Sequence, residues 1–241
     1  MIRRAAAGTP DAGSAAEVTV ATSYGDAVVV LDEAAAPAFL LALTHGAGGG
    51  VETPDLRAAR DAALGLGGAV ARIIQPYRVR GSRAPGSAAR QDESWIEVMA
   101  ALPRLAGASQ AGAGSAESAG RQPGSPGRPG GGLALIQGGR SNGARLACRT
   151  APATGADAVI ELAFPLHPPG HPERSRSGDL LAAGVAVLAV SGDRDPFGIP
   201  DAADAVQVVV LEGEGHALSK NPAAVGTAVS AWLRQWISRG R

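Results

Sequence analysis

The chain has 241 residues, 45% of them hydrophobic but only 3% aromatic, so Val, Leu, Ile and Ala must fill its core. That length suits one α/β domain, and its 22 basic and 22 acidic residues cancel, which argues against a nucleic-acid partner held by bulk electrostatics. A lone cysteine, Cys148, excludes an internal disulfide and fits a reducing, cytoplasmic setting.

The first 16 residues are small and polar and are expected to form a disordered tail. They carry Arg3 and Arg4 but no apolar stretch of the secretory kind. Nothing further along approaches the about 18 consecutive apolar residues of a membrane span, so no membrane partner is expected. "EVTVAT" (17–22) and "AVVVLDE" (27–33) predict a hairpin across "SYGD". The apolar run "PAFLLALTHGAGGG" (37–50) predicts a strand that stops at a glycine-rich loop. Thr53 and Pro54 then open a helix as N-cap and first helical residue, with Leu56, Ala59 and Ala63 as its buried stripe. "AVARIIQPY" (69–77) predicts another buried strand, ended by Pro76. A basic loop spans Arg78 to Arg90, and a helix is expected from Asp92 toward Leu102, broken or kinked at Pro103. Residues 107–132 contain no large apolar side chain and predict a flexible Gly/Ser/Pro-rich insertion within the single domain 17–241.

Strands follow at 133–139, 157–166, 184–193 and 206–216, with a helix after the first and a short one between the second and third. The closing helix, 221–239, places Val225, Val229, Trp232, Leu233 and Trp236 on one face. Continuous apolar strands alternating with helices predict an α/β fold. Its sheet of seven to eight mostly parallel strands is covered on both faces, with an antiparallel edge hairpin. Ligands in such sheets bind beyond the carboxyl ends of the strands.

The chemistry-bearing residues lie at those ends. Gly139-Arg140-Ser141-Asn142-Gly143 matches G-x-S-x-G between a strand and a helix, the sharp turn that exposes a nucleophilic serine. The bland alternative is a serine that merely caps a helix. A serine nucleophile needs a base and a carboxylate to orient it. Of the four histidines, His216 follows the last strand, and His45 beside the glycine loop suits a structural role. His167 and His171 are spaced i, i+4, but Pro168 and Pro169 exclude the helix a metal pair would need, so no metal is expected. In "VSGDRDPFG" Asp195 is the favoured acid and Asp193 the fallback, which gives the chain order Ser, Asp, His. The backbone N–H groups of Asn142 and Ala47 are the expected oxyanion donors. "GAGGGV" lacks a Walker lysine and no dinucleotide fingerprint follows, so no nucleotide cofactor is expected. Arg78, Arg83 and Arg140 are candidate contacts to an anionic substrate, against an ion-paired or solvated structural role.

With these residues placed, the chain resembles an α/β-hydrolase of the dienelactone-hydrolase-like branch. More narrowly, it is similar to the bacterial proteins grouped with the hydrolase-like domain of an NSL histone acetyltransferase complex subunit and its testis-expressed relatives. "LTHGAGGG", "PYRVRGSRAP", "GGRSNGAR", "FPLHPPGHPE", "GDRDPFG" and "GEGHAL" carry the resemblance, from about residue 41 to 217. It implies hydrolase chemistry without naming a substrate. Dienelactone hydrolases proper use a cysteine nucleophile where this chain has Ser141. The narrower group usually has methionine where this chain has Asn142, which makes the pocket wall polar. The expectation is a cofactor-free serine hydrolase acting on a carboxylic ester or related acyl bond of a small soluble substrate, without a large lid domain. The competing expectation is a non-catalytic binding or scaffold protein on the same fold.

Overall fold

In the computed structural model, residues 2–4, 15–32, 34, 36–110, 133–203 and 205–240 are described. The β-branched and aliphatic runs form nine strands: β1 (Ile2–Arg4), β2 (Ala16–Thr22), β3 (Gly25–Asp32), β4 (Phe39–Thr44), β5 (Ala69–Ile74), β6 (Ala134–Arg140), β7 (Ala158–Leu162), β8 (Ala186–Gly192) and β9 (Val206–Leu211). They make one sheet in the order β1-β2-β3-β5-β4-β6-β7-β8-β9. Pairing is antiparallel from β1 to β5 and parallel from there to β9. The extra strand is β1, inside the segment expected to be disordered. Ile2–Arg4 pair with the backbone edge that β2 would otherwise leave open.

Among the described residues six helices cover the sheet: α1 (Pro54–Leu64), α2 (Pro76–Val79), α3 (Ala88–Gln110), α4 (Asn142–Thr154), α5 (Ser177–Leu181) and α6 (Pro222–Arg239). The period-2 alternation of the strands divides the core. Phe39, Leu41 and Leu43 point to the side of α1 and α6, where they meet Leu56, Ala59, Ala63, Val225 and Val229. Leu40 and Ala42 point the other way, toward Trp95, Met99 and Leu102 of α3. Trp232 of α6 is buried and stacks on the half-buried Trp236 at 6.5 Å.

Helix α3 departs from expectation. It starts at Ala88, inside the expected basic loop, and runs through Pro103 to Gln110. Pro103 removes one hydrogen bond but is itself exposed, while buried Met99, Leu102 and Leu105 flank it. Tertiary packing therefore carries the helix across a residue that propensity alone would make its end. The helix takes in the start of the 107–132 stretch; residues 111–132 lie outside the described ones. Between β7 and β8 the chain forms only loop and the five-residue α5, so no lid domain stands there.

Candidate active site

Ser141 occupies the turn between β6 and α4 at φ 52°, ψ −116°, a sparsely populated backbone region for a residue with a side chain. The turn persists because its neighbours are glycine. A Cβ on Gly139 would stand 2.7 Å from the Thr44 carbonyl oxygen, and one on Gly143 2.7 Å from that of His45. The ends of β4 and β6 and the start of α4 thus meet backbone to backbone. The Ser141 N–H donates to the Leu162 carbonyl at 2.9 Å, tying the turn to β7. Its side chain makes no capping bond to α4, so the turn is more than a helix cap.

The hydroxyl faces His216 instead. His216 lies in the loop between β9 and α6, with Nε2 2.8 Å from Ser141 Oγ. Its Nδ1 stands 2.8 Å from Asp195 Oδ2, and the Asp195 side chain is fully buried. The Asp195 carboxylate is held from its other oxygen, Oδ1, which accepts the Phe197 N–H at 2.9 Å. The Phe197 ring packs against the His216 imidazole with centroids 4.2 Å apart. Asp193 is exposed on the same loop and does not meet His216. The structure therefore brings Ser141, His216 and Asp195 into one hydrogen-bonded chain and leaves Asp193 outside it.

Of the two expected oxyanion residues, Asn142 follows Ser141 in the chain, and Ala47 follows Gly46, on which a Cβ would stand 3.3 Å from Ser141 Cβ. Among the described residues, neither the Asn142 nor the Ala47 N–H donates to a protein acceptor. Each of these two residues is held through its other groups. The Asn142 side chain donates to Gln91 Oε1 at 2.6 Å, and the Ala47 carbonyl accepts the Tyr77 hydroxyl at 3.1 Å. Burial pushes the Tyr77 phenol up to about 12, so it remains a donor at neutral pH. His45, fully buried, cross-links the ends of β4 and β5. Its Nδ1–H donates to the Gly46 carbonyl at 2.8 Å and its Nε2 accepts the Gln75 N–H at 3.0 Å. The Nε2 bond needs the neutral ring, and burial lowers the His45 pKa to about 4.

The three arginines named from sequence differ in their partners. Arg140 forms an ion pair with buried Asp55 at 2.8 Å, and it donates to the His216 carbonyl at 2.7 Å. Of the two roles open to Arg140, these bonds make it ion-paired, with its guanidinium engaged by protein groups. Arg78 donates to the Ser82 carbonyl at 3.1 Å, and Arg83 is exposed. Neither lines the cavity of about 310 Å³ bounded by Tyr24, Gln75, Tyr77, Arg80, Arg90 and Gln91. His167 and His171 bond to the Pro168 carbonyl and Glu173, and no metal-ligating cluster occurs among the described residues. Asp55, Gln91 and Phe197 escape notice in the sequence, since a buried carboxylate, an amide and a phenylalanine carry no motif. Only the quoted "DPFG" stretch placed one of them near the acid.

A family model described as "Alpha/beta hydrolase domain" matches residues 37–222. No curated protein matches the chain. Among solved structures, XC6422 from Xanthomonas campestris is an a/b serine hydrolase without lid. It is 17% identical, with a TM-score of 0.66 over 92% of this chain and 95% of that one. Dienelactone hydrolase from Anabaena variabilis is 16% identical, with a TM-score of 0.65 over 95% and 98% of the two chains. Est1E from Butyrivibrio proteoclasticus, with ferulic acid bound, is 14% identical, with a TM-score of 0.65 over 91% and 99%. These likenesses cover nine-tenths or more of this chain, and they share the α/β hydrolase fold. By the span of the matching model and the agreement of the fold, this chain belongs to the alpha/beta hydrolase domain family.

Proposed function

We propose that the protein is a serine hydrolase that cleaves a carboxylic ester or related acyl bond of a small soluble substrate. The observation that carries this reading is the pair of 2.8 Å contacts joining Ser141 Oγ to His216 Nε2 and His216 Nδ1 to Asp195. Ser141 Oγ attacks the substrate carbonyl carbon while His216 Nε2 takes the hydroxyl proton. Asp195 keeps Nδ1 protonated and stabilises the imidazolium. The negative charge forming on the carbonyl oxygen is met by the Asn142 and Ala47 N–H groups, the first at the N-terminal end of α4 where the helix dipole adds to it. His216 then protonates the leaving alcohol as the bond to it breaks, which leaves an acyl-Ser141. A water molecule, deprotonated by His216, attacks that ester and frees the acid and the serine hydroxyl. The steps need no metal or organic cofactor.

Within the family we place the chain in the dienelactone-hydrolase-like branch, beside the bacterial proteins grouped with the NSL subunit's hydrolase-like domain. The motifs around Ser141, Asp195 and His216 support that placement. We also assign the protein to the cytoplasm, a reading supported by its single, buried cysteine. Among the described residues no helix is long and apolar enough to cross a membrane.

Labelling of purified protein with a fluorophosphonate probe tests the reading, with Ser141→Ala and His216→Ala alongside. Wild type is expected to label and to hydrolyse acetyl and butyryl esters. Either substitution is expected to cut kcat by on the order of 10⁴-fold or more. A folded wild type that neither labels nor turns over such esters overturns the proposal and favours the scaffold reading.

A further inference from the structure

We infer that Arg140 is a positioning residue for the proposed reaction: its guanidinium sets where His216 stands relative to Ser141. The inference rests on the hydrolase reading for its kinetic consequence, but its geometry stands apart from it. Arg140 is the last residue of β6, immediately before the serine. On the sheet's α1 face its Nε donates to Asp55 Oδ2 at 2.8 Å, and its Nη2 donates to the His216 carbonyl at 2.7 Å. A Cβ on Gly46 would stand 3.3 Å from Nη1 and from Ser141 Cβ, so the loop bearing Ala47 packs directly on the same group. One side chain therefore joins the nucleophile's strand, the base's loop and the first turn of α1.

His216 depends on that link. It lies between Leu211, where β9 ends, and Pro222, where α6 begins. The other loop bonds hold its neighbours: Arg194 N–H to the Glu214 carbonyl, Leu218 N–H to the Gly215 carbonyl, and Asn221 N–H to the Glu214 side chain. Among the described residues, only Arg140 donates to the His216 carbonyl. The partner ion explains why this arginine is fixed. The Asp55 side chain has no exposed surface and that of Arg140 only 14%. A buried ion pair of this sort contributes little net stability, because desolvation offsets the attraction; its geometric effect is to fix register. Lysine cannot replace the fork, since one ammonium on a flexible stem lacks the two fixed donor directions that reach Asp55 and His216 together.

The test is Arg140→Lys, which keeps the charge, with Arg140→Gln as a second variant and thermal unfolding to establish that each is folded. Two readouts are compared with wild type: kcat and KM for an acetyl ester, and the far-downfield proton resonance of the His216 Nδ1–H···Asp195 bond. For Arg140→Lys, kcat is expected to fall about 100-fold with KM within about twofold, the scale of a reacting group displaced by an ångström. The downfield resonance is expected to broaden or vanish as the imidazole loses its fixed seat. An unchanged resonance in both folded variants overturns the inference. So does a raised KM at unchanged kcat, which would make Arg140 a substrate contact. If wild type turns over no ester but its resonance depends on Arg140, the positioning role stands and the hydrolase reading falls.

Discussion

At the residue scale, His45 is the histidine whose environment most departs from its ordinary state. Its two hydrogen bonds use one ring nitrogen as donor and the other as acceptor, so protonation breaks the second. Burial lowers its folded pKa to about 4 from 6.5. Between those values the folded protein binds fewer protons than the unfolded chain, so stability falls as pH falls from 6.5 toward 4. The loss from this group amounts to about 3 kcal/mol at its fullest. Urea unfolding at pH 7 and pH 4.5 checks this: wild type should lose more stability between the two than His45→Asn does. Equal losses would show that the ring carries no proton-linked strain. The sequence already suggested a structural His45, because it sits beside a glycine loop. Its partner Gln75 lies just past the end of β5 and has no local signal.

At the element scale, three prolines mark the chain in different ways. Pro54 and Pro76 open helices α1 and α2 at positions where a missing N–H costs nothing. Pro103 sits inside α3, where the carbonyl of Met99 loses its helical donor. Its side chain is exposed, so Pro103→Ala restores a backbone hydrogen bond without disturbing the core. That variant should gain about 2 kcal/mol, read as a rise in the urea midpoint at unchanged slope. A neutral or destabilised variant would mean that a kink at Pro103 is needed to seat Met99, Leu102 and Leu105. The glycines of the serine turn were legible as a pattern. The clashes that require them, with the carbonyls of Thr44 and His45, arise from a strand about a hundred residues earlier in the chain.

Across the whole molecule, one buried carboxylate stands apart from the active site. Glu161, at the centre of β7, is fully buried with its Oε1 against the Cys148 thiol and its Oε2 unpartnered. Burial raises its pKa to about 8 from 4.5, and it pushes the Cys148 thiol well up too. The folded state holds a proton here that the unfolded chain releases, so stability present below pH 4.5 is lost as pH rises toward 8 and then levels off. Glu161→Gln should flatten that decline, measured as unfolding free energy from pH 5 to pH 9. A decline that persists unchanged would place its origin elsewhere. Because Cys148 and Glu161 face each other beneath α4 on the α4–α5 side of the sheet, neither belongs to the proposed chemistry.

By itself the sequence determined the class of fold, because strand and helix periodicities are local and survive in any window of the chain. It also determined the candidate nucleophile and base, since a serine between glycines after an apolar strand and a histidine after the last strand both carry positional meaning. The choice of Asp195 over Asp193 was foreseen from depth in the loop, but burial against His216 is what decides it. Tertiary structure alone decided that Arg140 pairs with Asp55 and reaches the His216 carbonyl, that β1 completes the sheet edge, and that α3 outruns its proline. Each depends on groups distant in sequence meeting in space: Asp55 with Arg140, the open backbone of β2 with Ile2–Arg4, the core with Leu105. Such meetings are set by packing and charge across elements, and a one-dimensional pattern records only the residues available to take part.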